Sequence, residues 1–144
     1  MQNFFYVLLF LLFICGCDRE CLVERAVVDI DVRRCDGVEL YLVTNCIKDL
    51  HERDVFFLAY IKDHLINLCE LDTAITGYSI GFYESTFCSR AYAERYFELK
   101  NVESLYERCG SDYLGSFLYK RLEGSPSVWY LAYPNEINDT IFCK

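Results

Sequence analysis

The cysteines constrain what this chain can fold into more than any other feature of its sequence. The chain has nine of them in 144 residues, and eight remain if a leader is cleaved after Gly16. An even number is what a disulfide framework in an oxidising compartment needs. The eight are Cys17, Cys21, Cys35, Cys46, Cys69, Cys88, Cys109 and Cys143. We therefore predict a small domain held together by disulfides, whose pairing the spacing alone leaves open.

The N-terminal residues predict a signal peptide. An apolar run covers residues 4–14 and ends in the small residues Cys15 and Gly16, which is the pattern of a signal peptide core and its cleavage site. The run is too short to cross a hydrocarbon layer of about 30 Å. We predict a signal peptide over 1–16 and one secreted domain over 17–144, because a domain takes about 100–200 residues.

Two other uses of the cysteines need to be weighed. Residues 14–17 match a bacterial lipobox, in which Cys17 would carry lipid and an odd number of other cysteines would remain. A zinc site would need closer ligands, because the chain has no C-x₂-C pair and His51 and His64 lie outside any ligand spacing. We expect neither a metal site nor a cofactor.

The composition disfavours two classes of partner and favours a third. The chain has 22 acidic against 14 basic residues, for a net charge of −8. This balance provides no basic stripe for a nucleic acid and no attraction to an anionic lipid surface. Aromatic residues make up 17% of the chain, and 12 of them are Tyr, a residue favoured at protein interfaces. The sequence therefore predicts a protein partner.

No motif supports an enzyme. Residues 77–81 match the G-x-S-x-G of serine hydrolases, but both histidines precede Ser79, whereas that fold needs the His after the Ser. Acidic pairs such as Asp29 and Asp31 are expected on the polar face of a strand, where they are solvated and have no catalytic use. We predict a non-enzymatic protein without catalytic residues.

The N-terminal half of the mature chain predicts a β-hairpin. Period-two alternation over 26–33 marks a half-buried strand with Val28, Ile30 and Val32 on its apolar face. A turn signal at Cys35-Asp36-Gly37 leads into a second β-rich run over 38–43. Further short strands are predicted over 78–83 and 128–133.

Helical periodicity predicts two main amphipathic helices. The first covers 50–69, with a stripe at Val55, Leu58, Ile61, Leu65 and Leu68. The second covers 89–108 with Ser89 as its N-cap, and its stripe is Tyr92, Tyr96, Leu99, Val102 and Tyr106. A third, short helix is predicted over 113–122. The predicted fold class is α+β: a small disulfide-stapled domain with an N-terminal hairpin, these helices and short strands.

Asn138 begins an Asn-Asp-Thr sequon. In a secreted chain such a sequon accepts an N-linked glycan when it is exposed. The sequon follows Pro134 in a polar stretch, and we predict glycosylation at Asn138.

Several features follow one another in an order that one family shares. Cys17 and Cys21 precede a strand, Cys35 opens a Cys-Asp-Gly turn, Cys46 precedes a helix, and the segment AITGYSIGFYEST follows at residues 74–86. This order resembles glycoprotein L of the gammaherpesviruses, especially the rhadinovirus branch. That family has a Cys-Asp/Asn-Gly turn, a cysteine before the helix and a Tyr-x-Val/Ile-Gly-Phe segment after it. From Cys88 onward the chain shows no pattern of the family.

The resemblance implies a viral envelope subunit. Glycoprotein L has no membrane anchor and folds with glycoprotein H into a heterodimer that herpesviruses need to enter host cells. It helps glycoprotein H to fold and leave the endoplasmic reticulum, and the pair passes a receptor signal to the fusion protein, glycoprotein B. Some rhadinovirus members also contact Eph-family receptors. The resemblance thus implies transit through the host Golgi to the virion envelope and host cell membrane, where glycoprotein H holds the chain peripherally.

The resemblance also implies a disulfide pairing. The family's first two cysteines bond to the cysteine of the turn and to the next one along, which gives Cys17–Cys35 and Cys21–Cys46. The remaining four cysteines would then pair among themselves, in an arrangement that the sequence leaves open.

We expect the hairpin to form the contact with glycoprotein H. Strands with one apolar face and exposed backbone edges can add to a partner's sheet by β-augmentation. The predicted contact residues are Val28, Ile30, Val32, Val38, Leu40 and Leu42. An ordinary internal hairpin is the alternative for these strands. For the whole chain, the alternative is a secreted decoy or a carrier of a small hydrophobic ligand that acts alone.

Overall fold

The computed structural model describes residues 20–133 and 140–143. The predicted signal peptide, Cys17 and Asn138 therefore lie outside the described residues. Within them, a six-stranded sheet is packed against helices on both of its faces. No helix in this part of the chain is long and apolar enough to cross a membrane.

The described residues form six strands, four helices and two 3₁₀ turns. The strands are β1 (Leu22–Asp31), β2 (Asp36–Thr44), β3 (Gly77–Glu84), β4 (Tyr113–Leu122), β5 (Ser125–Tyr133) and β6 (Thr140–Phe142). The helices are α1 (Leu50–His64), α2 (Phe87–Glu94), α3 (Tyr96–Leu99) and α4 (Leu105–Cys109), with 3₁₀ turns at Leu68–Glu70 and Gly110–Asp112. The predicted mixed class with disulfides is confirmed, and so are the predicted hairpin and the strands near 78–83 and 128–133.

The strands lie in the sheet in their order along the chain. Every neighbouring pair is antiparallel except β2 and β3, which are parallel. A parallel pair needs a long crossover, and α1 provides it. In the turn between β1 and β2, Cys35 takes a positive φ of 57°. A side chain on Gly37 would collide with the ring of Tyr78, so the Cys-Asp-Gly turn needs its glycine for close approach.

Stacked aromatic rings fill the core between α1 and the sheet. The ring centroids of Phe57 and Phe82 lie 4.0 Å apart, and Tyr41 also stacks with Phe82, at 5.0 Å. Ile61 is buried as predicted, but Val55 is 53% exposed and Phe57 lies in the core instead. The other residues of the predicted stripe, Leu58, Leu65 and Leu68, are buried in the core or packed against it, so only the start of the stripe was misplaced. The helix also ends at His64 rather than at 69, because Leu65 is extended.

The predicted helix over 89–108 is three short helices. Its N-cap is Thr86 and not Ser89, which is buried and completes a capping box with Thr86. Ser104 and Glu107 form a second capping box that starts α4. Tyr92 and Tyr96 are buried as predicted, whereas Val102 and Tyr106 are exposed. The Ser-x-x-Glu signature at 104–107 is visible in the sequence and marks this new helix start.

The predicted short helix over 113–122 is strand β4. It pairs with β3 on one side and with β5 on the other. Phe117 and Tyr119 are buried and alternate with Leu118 and Lys120, which is the period of a strand. Pairing with β3 and β5 therefore outweighs the weak helical pattern in the sequence of β4.

Two disulfides join the four cysteines that the resemblance left open. Cys69–Cys143 ties the 3₁₀ turn after α1 to the end of β6, and Cys88–Cys109 ties α2 to α4. The sequence separations are 74 and 21 residues. Each bond therefore closes a loop of that length and lowers the conformational entropy of the unfolded chain.

Removal of these disulfides should destabilise the domain to different extents. By loop entropy, Cys69→Ser with Cys143→Ser should lower the free energy of unfolding by about 4.5 kcal/mol, and Cys88→Ser with Cys109→Ser by about 3.5 kcal/mol. Urea denaturation of the secreted chain measures both values. A larger loss from the shorter loop would contradict the entropic account.

Candidate functional site

The outer edge of β1 is the candidate partner site. The strand order places β1 at one end of the sheet, so this edge pairs with no strand of the described residues. β1 is ten residues long, with a bulge at Ala26. The opposite edge belongs to β6, which has three residues. A long unpaired edge is a template for another strand, so β1 is the better acceptor.

The six predicted contact residues do not share one surface. Residues that face each other on paired strands lie on the same side of a sheet. Val28 opposes Glu39 and Ile30 opposes Gly37, which places them on the side that α1 covers. The other side carries Val38, Leu40 and Leu42.

Burial divides the same six residues. Leu40 and Leu42 are 7% and 3% exposed and pack under α2–α4 in the chain's own core, and Val38 packs against them. Val28 is half-buried, whereas Ile30 and Val32 are 42% and 50% exposed. β2 also pairs on both sides, so it has no free backbone edge. The part of the hairpin that a partner can reach is β1 and the turn that follows it.

Asp29 anchors β1 to the helical layer. It is 8% exposed, and its Oδ2 accepts hydrogen bonds from Lys100 Nζ at 2.6 Å, Tyr96 Oη at 3.2 Å and Arg34 at 3.3 Å. Burial, and then the negative charge of Asp29, raises the pKa of Tyr96. The prediction that Asp29 is a solvated charge was wrong, because α3 covers this end of the strand.

Glu39 anchors the hairpin on the opposite side of the sheet. This carboxylate is fully buried and accepts hydrogen bonds from the hydroxyls of Tyr41 and Tyr78 and from the amide of Ile66. Arg25 of β1 lies 3.7 Å from it and also donates to the carbonyl of His64. Burial, followed by contact with Glu39, raises the pKa of both tyrosines. A fully buried carboxylate cannot touch a substrate, so this cluster is structural.

The hydrolase-like residues do not form a catalytic group. Ser79 lies inside β3, opposite Val38 and Leu118, and not on a strand-to-helix turn. His64 stacks on Tyr60 with ring centroids 4.0 Å apart, and its Nδ1 lies 2.9 Å from the Tyr60 carbonyl oxygen. In the described part of the chain, Ser79 shares no hydrogen bond with either histidine.

One group of side chains has the spacing of metal ligands but not the chemistry. The sulfurs of Cys88 and Cys109 and a carboxylate oxygen of Asp112 lie within 4.8 Å of one another. Both sulfurs belong to a disulfide, so neither is the thiolate that a metal requires. Asp112 instead accepts a hydrogen bond from Thr86.

The remaining described cysteines are free thiols. Cys21 and Cys46 are neighbours just beyond the open end of the hairpin, where Leu22 opposes Thr44. Burial, and then the neighbouring Cys21, raises the pKa of Cys46 to about 11. Cys35 is exposed in the turn. The pairings Cys21–Cys46 and Cys17–Cys35 both remain predictions.

A cavity of about 460 Å³ lies between the end of α1 and β6. Its walls are mainly aliphatic, with Ile61, Leu65, Ile66, Leu68 and Ile141. The volume is in the range of small-ligand sites. This cavity is the feature that the alternative function, a carrier of a small hydrophobic ligand, would use.

Comparisons with models of protein families, with curated proteins and with solved structures found no match for this chain. The disulfides are compatible with a secreted or extracellular protein.

The buried ion pair of Asp29 should matter far more than its exposed neighbour. Asp29→Ala leaves Lys100, which is 16% exposed, without its counter-charge and should lower the free energy of unfolding by about 3 kcal/mol. Asp31→Ala is the control, because Asp31 pairs with Arg34 at the surface and little change is expected. Urea denaturation of both variants checks this, and equal losses would contradict it.

Peptide mapping without reduction should find Cys21 linked to Cys46 in the secreted chain. The two thiols are already adjacent, so oxidation needs little movement of the backbone. The Cys69–Cys143 and Cys88–Cys109 peptides serve as internal controls. A peptide that joins Cys21 to any other cysteine would overturn this pairing.

Proposed function

We propose that this chain is a non-enzymatic secreted subunit that binds a larger envelope protein through the outer edge of β1, as glycoprotein L binds glycoprotein H. The observation that supports this proposal is the unpaired ten-residue edge of β1. Leu22 and Ile30 of this strand are exposed, one on each face of the sheet, and Val32 is exposed in the turn that follows it. A partner strand would satisfy the open backbone groups and cover these side chains.

The edge is also rigidly held, which favours binding. Asp29 fixes β1 from one side of the sheet and Arg25, through Glu39, fixes it from the other. A strand that is already ordered loses less conformational entropy when a partner pairs with it. These contacts on both faces support β1 as an ordered acceptor strand.

In this role the chain travels through the host Golgi with glycoprotein H and assists its folding and transport. It then remains at the virion envelope and the host cell membrane as a peripheral subunit. There it takes part in receptor engagement, with an Eph-family protein as a candidate, and in fusion by glycoprotein B. The alternative is a secreted decoy or small-ligand carrier, for which the cavity beside Ile66 and Ile141 is the supporting feature.

Co-expression with glycoprotein H from the same viral genome tests the proposal. Ile30→Asp with Val32→Asp places two charges beside the edge and should reduce co-secreted glycoprotein H by about tenfold or more. Val102→Asp is the matched control, because Val102 is 82% exposed on the helical layer, and it should leave the complex intact. Quantitative pull-down from the medium measures both.

Two results would contradict the proposal. One is an equal effect of the control and the β1 variant. The other is secretion of the chain as a stable monomer with no effect on glycoprotein H, since an obligate subunit need not fold alone.

A further inference from the structure

The two ends of the sheet are protected from unselective strand pairing in different ways. β1 forms one end, and four of its ten residues are charged: Glu24, Arg25, Asp29 and Asp31. Charged side chains on an edge strand disfavour edge-to-edge association. Near the other end, β5 has no charged residue over Ser125–Tyr133. What lies outside it is β6, a strand of three residues.

Residues 128–133 of β5 have the composition of a self-associating strand. The segment reads VWYLAY, with β-branched and aromatic residues and without charge, proline or glycine. Segments of this kind pair with copies of themselves when their backbone edge is exposed. The inner edge of β5 is already paired with β4. The outer edge of β5 is therefore the place where another strand could add.

β6 covers this outer edge. It pairs antiparallel with residues 128–130, and the amide of Cys143 donates to the carbonyl of Ser127 at 2.7 Å. Ile141 opposes the buried Trp129 and packs against the same core. Three residues provide few backbone hydrogen bonds, and each of these contributes little net free energy. Strand pairing alone would therefore hold β6 only weakly.

The disulfide Cys69–Cys143 fixes β6 in this position. Cys143 directly follows the last residue of β6, and Cys69 lies in the 3₁₀ turn after α1. The bond therefore keeps β6 at a high local concentration beside β5, although its two cysteines are 74 residues apart in the sequence. The other disulfide, Cys88–Cys109, joins two helices and no strand.

We propose that β6 is an edge guard locked by Cys69–Cys143, and that the β5 edge beneath it is a latent interface between two copies of this chain. Without the lock, β6 leaves the sheet and the outer edge of β5 pairs antiparallel with the same edge of a second copy. Two identical strands related by a twofold axis form such a pair, which closes as a dimer. The occupant is a second copy because residues 128–133 present the same uncharged β-strand in both chains.

This inference is independent of the function proposed above. The guarded edge and the free edge of β1 lie at opposite ends of the sheet, with β2, β3 and β4 between them. Failure of one proposal leaves the other standing.

Two differently tagged copies of the full chain, expressed in the same cells, test the guard. A pull-down on one tag from lysate and medium measures the bound second copy, and N-ethylmaleimide in the buffers keeps free thiols from cross-linking the copies. Cys69→Ser with Cys143→Ser should raise the co-purified second copy by about tenfold or more over the parent. Cys88→Ser with Cys109→Ser is the matched control, because it also removes one disulfide but leaves β6 locked, and it should behave like the parent.

A third variant separates edge pairing from lost stability. Tyr130→Glu is added to the chain without Cys69–Cys143, because Tyr130 is 37% exposed and opposes Lys120 of β4. Within one chain the introduced carboxylate faces this lysine, whereas a strand pair between copies brings two carboxylates together. The co-purified second copy should therefore return to the level of the parent.

Three outcomes would overturn the proposal. The unlocked chain could recover no more of the second copy than the parent does, or a chaperone in its place. Both disulfide variants could associate to the same extent, which would make lost stability the cause. Tyr130→Glu could leave the association unchanged, which would place the contact outside β5.

Discussion

The fold depends on β2, which is paired along both edges and covered on both faces. This strand pairs along its length with β1 on one side and β3 on the other, and residues 39–43 are all buried. A strand buried on both faces needs a covering layer on each, and α1 and the α2–α4 layer provide them. Because α1 also connects β2 to β3, one crossover both makes the parallel pair and covers it.

A fully buried strand cannot hold a charge without partners, and β2 contains Glu39. Its carboxylate is stabilised by two tyrosine hydroxyls, an amide and Arg25. Apart from Tyr41 of β2 itself, these groups come from β1, from β3 and from the chain after α1, so the packing of those elements is coupled through one side chain. In the sequence, Glu39 is visible only as a single acidic residue in an apolar run. It indicates a buried hydrogen-bond network only when both faces of β2 are known to be covered.

Local sequence patterns predicted where strands and turns form better than they predicted what packs against them. The alternation over 26–33 correctly located the β1 strand, and the Cys-Asp-Gly turn correctly marked the hairpin. Neither shows which face a helix will cover, so the prediction of a solvated Asp29 was wrong, and Leu40, a predicted contact residue, lies in the chain's own core. For the same reason β4 was mistaken for a helix, because its strand character comes from its two neighbours. Only β1 of the hairpin has a free edge. This depends on the order of the strands in the sheet, which is a property of the whole fold and not of the local sequence.

The many tyrosines occupy two kinds of position in the structure. Tyr92, Tyr96 and Tyr119 are buried and help to fill a core that a small domain cannot complete with aliphatic residues alone. Tyr106 on α4 and Tyr133 at the end of β5 remain exposed. The composition therefore overstated the area left for a partner, since it counted core residues as interface.

Backbone pairing at β1 would supply affinity without much selectivity, because any extended segment offers the same amide and carbonyl groups. Selectivity must then come from side chains beside the edge, where Leu22 and Ile30 are exposed on opposite faces of the sheet and Val32 is exposed in the turn. Their positions depend on how β1 is held against β2, to which the contacts of Asp29 and Glu39 contribute from opposite faces. In the proposed complex, recognition would therefore depend on two residues that the partner does not touch, Asp29 and Glu39.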